Sequence, residues 1–112
     1  MDKDASTYLK QILDSIILIE DYIQGATKEQ FLQNKLLQDS VAMRLHLIGE
    51  ICNKLPNDFR ERMPEIPWAE IIGMRNFIGH HYLEIIQETV WNTIKDDLSE
   101  LKQALLNELN KD

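Results

Sequence analysis

The stretch LLQDSVAMRLHLIGEICNKL, running from Leu36 to Leu55, decides the fold class. Leu37, Val41, Leu45, Ile48, Cys52 and Leu55 recur at helical steps and form one apolar stripe. Opposite them fall Asp39, Met43, His46, Glu50 and Asn53, a mostly polar face. A twenty-residue amphipathic helix is therefore expected, and it needs other helices to bury its stripe.

Working outward, Leu9, Ile12, Leu13, Ile16, Ile19 and Ile23 give a first helix from about Asp4 to Gln24, with Gly25 as its stop. Thr27 with Gln30 three residues on reads as a capping box that opens a short helical turn. Downstream, Pro56, Pro64 and Pro67 bracket a connector and exclude a continuous helix. Pro67 then favours a new start, followed by Trp68, Ile71, Ile72 and Met74. A last helix, from Ile86 or Gln87 to Asn110, aligns Val90, Trp91, Ile94, Leu98, Leu101, Leu105 and Leu109, leaving Asp96, Asp97, Glu100 and Glu108 off that face. The expectation is an all-α, up-and-down bundle of four main helices plus a short helix, in a single domain over residues 1–112.

Composition agrees. Of 112 residues 44% are hydrophobic, enough for a core, while only four are Gly and three Pro. Met1–Tyr8 is too polar for a secretory signal, and the longest clean apolar run, Ile16–Ile19, is far too short to span a membrane. A lone cysteine, Cys52, forms no internal disulfide, which suits a reducing compartment; the expected location is cytoplasmic, with no membrane partner. Nineteen acidic against twelve basic residues give a net charge of −7. That balance opposes broad nonspecific nucleic-acid binding, so any RNA contact has to be local.

Chemistry concentrates in Arg75-Asn76-Phe77-Ile78-Gly79-His80-His81-Tyr82. An Arg-x4-His pair arises by chance in roughly one chain of this length in ten at average usage, and Tyr at +2 cuts that by an order of magnitude. Between Met63 and Ile94, Arg75 is the only Lys or Arg. Metal-free RNA cleavage needs a base for the ribose 2′-OH, an acid for the leaving 5′-oxygen and a cation for the phosphorane-like transition state. Histidine suits both proton roles, and the arginine fork fits phosphate oxygens. Positions five apart on a helix diverge by about 140°, so Arg75 and His80 converge within one chain only if the helix unwinds. Gly79 permits that, and the helix is predicted to end at Ile78–Gly79.

This segment resembles the HEPN ribonuclease motif in the form carried by HepT-like toxins. Its surroundings resemble that family too: Gln38-Asp39-Ser40-Val41, Ile48-Gly49-Glu50, Pro64-Glu65-Ile66-Pro67-Trp68, Ile71-Ile72-Gly73-Met74, Val90-Trp91 and Asp96-Asp97-Leu98. The chain departs at Ile86, where a helix-capping Asp is expected. The resemblance implies a HEPN-like bundle and a ribonuclease toxin of a type VII-like toxin–antitoxin pair. It implies a homodimer with both motifs facing one groove, and a minimal nucleotidyltransferase antitoxin that silences it by transferring AMP to Tyr82. His80 and Arg75 of each chain would then surround one phosphodiester, with no metal and no cofactor. The alternative is a non-catalytic HEPN dimer that binds a nucleotidyltransferase or nucleotides.

Lesser candidates carry blander readings. His81 rivals His80, but Tyr82 stands at +2 only from His80. Asn76 either touches phosphate or orients His80, or simply caps its helix. Asp39, Arg44 and Glu50 are expected to form a charge network or line the groove. His46 lacks the further ligands that zinc needs, with Cys52 on the opposite stripe. Trp68 and Trp91 read as core or interface anchors, and the acidic residues after Tyr82 as a solvated face.

Overall fold

The computed structural model describes residues 3–111. The order is α1 (Lys3–Tyr22), α2 (Lys28–Gln33), α3 (Lys35–Lys54), α4 (Asn57–Glu61), α5 (Trp68–His81), a 3-10 turn (Tyr82–Glu84), α6 (Gln87–Asn92), a π-helical turn (Thr93–Asp97) and α7 (Leu98–Leu109). No strand occurs among the described residues. The all-α bundle of four long spans stands as read from the sequence, with a second short helix, α4, between Pro56 and Pro64.

Local signals explain the boundaries. Gly25 adopts φ +77°, the left-handed conformation that turns the chain after α1. Thr27 accepts from the Gln30 amide at 3.1 Å while Gln30 accepts from the Thr27 amide at 2.9 Å, the reciprocal cap expected for α2. Asn34 caps α3 by accepting from the Leu37 amide. The connector is pinned by Trp68, whose indole N–H donates to the carbonyls of Arg60 and Met63. Ile86 precedes α6 without a side-chain cap.

α3 is the central rod. It packs against α1 on one side and α5 on another, while α7 closes over α1. The core joins Leu9, Ile12, Ile16 and Ile19 of α1, Val41, Leu45, Ile48 and Cys52 of α3, and Leu98, Leu101 and Leu105 of α7. Each such buried side chain contributes about 1.5–3 kcal/mol relative to exposure. Phe31 of α2 meets Trp91 of α6 with ring centroids 5.3 Å apart, so Trp91 is a core anchor.

Two expectations about the last helix change. It is not one regular helix, because the π turn at Thr93–Asp97 lies between α6 and α7. Glu108, placed off the apolar face by spacing, is instead 6% exposed. Its carboxylate accepts from Arg62 at 3.2 Å and Lys111 at 2.9 Å, so two cations offset the cost of burying it. No helix among the described residues is long and apolar enough to cross a membrane.

Candidate active site

α5 lies along the face of α3 that carries Asp39, His46 and Glu50, leaving these side chains partly exposed. The two helices come close at Gly49, where an added Cβ would lie 2.3 Å from the Cβ of Arg75. Only a residue without a side chain lets the backbones approach this closely.

Three cross-contacts follow along the two helices. At the first, Arg75 Nη1 lies 2.6 Å from Glu50 Oε1, and the Arg75 side chain is 18% exposed. The guanidinium holds the Glu50 carboxyl below its usual range, against the opposing effect of burial. Nε of Arg75 is covered and has no hydrogen-bond partner. At the second, His46 sits over Gly79, with its Nε2 3.9 Å from the same Glu50 oxygen. At the third, the Tyr82 hydroxyl donates to Asp39 Oδ1. Lys35 lies 3.4 Å from that oxygen and 5.0 Å from the centre of the Tyr82 ring. Burial first, then the Asp39 hydrogen bond and charge, push the Tyr82 phenol up to about 12. The Tyr82 hydrogen bond, in turn, holds Asp39 low. A groove of about 290 Å³ runs between the second and third contacts, bordered by Asp39, Met43, His46, Ile78, Gly79 and Tyr82.

The expected break in α5 is absent. The helix continues through Gly79 to His81, and among the described residues only Gly25 has a positive φ. A mid-helix glycine costs about 1 kcal/mol against alanine, too little to stop a helix that packs along α3. Arg75 therefore faces α3, while His80 and Asn76 lie exposed on other faces of α5. His81 is drawn elsewhere, with Nδ1 3.6 Å from Glu84 and its ring 5.4 Å from that of Phe77.

The expected network of Asp39, Arg44 and Glu50 is divided. Asp39 serves Tyr82 and Glu50 serves Arg75, whereas Arg44 ion-pairs with neither. Arg44 lines a separate polar groove of about 520 Å³ with Gln11, Asp14, Ser15 and Lys54, which Glu50 also borders. Sequence reasoning passed over Lys35 and the contact of His46 with Gly79. The signal was present for His46, which shares a helical face with Asp39 and Glu50, but it was weighed only as a metal ligand, and its neighbour Gly79 is 33 residues away in sequence. Among the described residues no three His, Cys, Asp or Glu side chains gather as a metal-holding group.

Residues 12–107 match the protein family described as Ribonuclease HepT-like. The chain is 37% identical over 102 residues to a Thermococcus cleftensis protein named "Probable ribonuclease HepT", covering 91% of this chain and 93% of that one. It is 32% identical over 103 residues to a "Putative RNase" of Methanocaldococcus jannaschii, covering 92% and 94%. A longer protein of the same organism, named "Gamma-glutamylcyclotransferase and putative RNase", is 40% identical over 106 residues; the match covers 95% of this chain but only 48% of that protein. No solved structure matches.

Proposed function

The chain belongs to the HepT-like ribonuclease family, and from that premise we propose that it is a metal-independent endoribonuclease working as a homodimer. The observation that carries this reading is the placement of Arg75 and His80. Arg75 is anchored by Glu50 at 2.6 Å beside a groove, while His80 stands exposed about 140° around the same continuous helix. A guanidinium and an imidazole so separated serve one phosphodiester when two chains each bring both. The exposed apolar residues Phe77, Leu83 and Ile86, beside His80 in sequence, supply a surface on which a second copy would dock. A shallow apolar groove of about 320 Å³, lined in part by Phe77, Ile86 and Val90, continues that surface.

In this mechanism one His80 takes the proton of a ribose 2′-OH, whose oxygen attacks the adjacent phosphorus. The other His80 protonates the departing 5′-oxygen, and the paired Arg75 guanidiniums bind the developing charge. The products are a 2′,3′-cyclic phosphate and a 5′-OH. Asn76, exposed one residue after Arg75, orients substrate at the rim. The protein acts as the toxin of a type VII-like pair in the cytoplasm. A minimal nucleotidyltransferase partner silences it by attaching AMP to Tyr82, whose hydroxyl lies within the Arg75–Tyr82 segment. Such an adduct would fill the α3–α5 groove with a bulky anion.

The test is incubation of purified protein with RNA in EDTA, beside Arg75→Ala and His80→Ala. Each variant is expected to lose at least about 100-fold in rate. Equal cutting by all three proteins would assign the activity to a contaminant. A competing reading, a non-catalytic dimer that binds a nucleotidyltransferase, is favoured by the net charge of −7 and by the neutralisation of Arg75 by Glu50. It predicts no cutting by any of the three.

A further inference from the structure

The groove between α3 and α5 has the features of a binding site for a flat, hydrogen-bond-donating group. Met43 and Ile78 give it apolar sides, and Gly79 leaves bare helix backbone at its floor. His46 borders it with its imidazole, whose Nδ1 is covered against Gly79 and has no hydrogen-bond partner. Tyr82 and Lys35 both contact Asp39 through Oδ1. The Asp39 carboxylate borders the groove half exposed, with lone pairs for a further donor. An ionised carboxylate only accepts, so it selects a ligand N–H and repels a carbonyl. At about 290 Å³ the groove has room for a bicyclic base. Arg75 lies one helical turn, about 6 Å, before Gly79 on the same helix.

We propose that this groove is a nucleobase subsite that takes an amino-bearing purine, with the nucleotide's phosphate directed to Arg75. The exocyclic amino group donates to the Asp39 carboxylate, and the ring lies against Gly79 beside His46. Uracil, which turns carbonyls towards any neighbour of its single N–H, fits the acceptor poorly. The biological ligand, an RNA strand, rests on the ribonuclease reading above, but base selection is measured without cleavage.

The experiment titrates the full chain with four 5′-monophosphates: adenosine, guanosine, uridine and purine riboside, the last being a purine without the amino group. NMR follows the Gly79 amide and the His46 ring. The adenosine and guanosine nucleotides are expected to bind about tenfold tighter than the other two, as one hydrogen bond to a charged acceptor allows, with shifts centred on Asp39, His46 and Gly79. Gly79→Leu, which fills the floor with a helix-compatible side chain, is expected to abolish that preference while circular dichroism stays helical. Equal affinity for all four, binding by none at millimolar concentration, or shifts centred elsewhere would overturn the subsite. A preference that survives in folded Gly79→Leu would overturn it as well. If that variant unfolds, the purine riboside comparison decides alone. Selective binding by a protein that cuts no RNA in EDTA would keep the subsite and remove the ribonuclease reading; cutting without selectivity would do the reverse.

Discussion

Tyr82 shows how much one side chain's chemistry owes to its neighbours. Its hydroxyl donates to Asp39, and burial together with that carboxylate pushes the phenol up to about 12 from an ordinary 10.0. Replacing Asp39 with Asn removes the charge but leaves the burial, so the Tyr82 titration should move part of the way back towards 10.0, as read from tyrosinate absorbance. The sign for stability follows. Above pH 10.0 the unfolded chain loses the phenolic proton first, so wild-type stability falls as pH rises towards 12, and less so in Asp39→Asn. An unshifted tyrosinate curve in the variant would contradict the contact. None of this is visible in sequence, because Asp39 and Tyr82 are 43 residues apart and meet only when α5 lies along α3.

At the scale of elements, the α3–α5 crossing is the feature on which the site depends. Gly49→Ala would drive a methyl group into the Arg75 Cβ and force the helices apart. A loss of about 1–3 kcal/mol in denaturant unfolding is expected, the usual cost of overpacking. Weaker RNA cutting should accompany it, since Glu50 and Arg75 would be drawn out of register; a Gly49→Ala protein as stable as wild type would refute the close approach. The helices themselves were legible, since Gly25, the Thr27–Gln30 capping box, Pro67 and the apolar spacings are local signals that tertiary packing reinforces. The end of α5 was not. Gly79 is only a weak helix breaker, and packing along α3 outweighs it, so the expected convergence of Arg75 and His80 within one chain failed with it. The polar face of α3 was expected to carry a charge network or line a groove, and α5 lies along it and divides that network between Arg75 and Tyr82. The motif residues were legible as residues, and their mutual geometry was not.

Across the whole molecule, burial of a carboxylate ties the connector to the last helix. Glu108 receives Arg62 from just beyond α4 and Lys111 from just beyond α7, and the Lys111 hydrogen bond, helped by Arg62 and opposed by burial, holds its carboxyl below the ordinary 4.5. Because the folded value is lowered, the carboxylate stabilises the protein above pH 4.5, and that contribution fades as pH falls through the lower folded value. Glu108→Gln should therefore be less stable than wild type at neutral pH, by about 1–3 kcal/mol, with the gap closing in acid; a gap independent of pH would contradict the ion pairs. Sequence spacing placed this residue off the apolar face because its cations, Arg62, 46 residues away, among them, are found only in the fold. The net charge of −7 leaves few cations for RNA, so the catalytic account requires them concentrated where two chains meet. The most direct test is the chemistry of the cut ends when wild-type protein digests a defined RNA in EDTA. Paired histidines acting as base and acid predict a 2′,3′-cyclic phosphate and a 5′-hydroxyl at each break, whereas 5′-phosphate ends, or cutting that appears only when Mg²⁺ is added, would contradict the account.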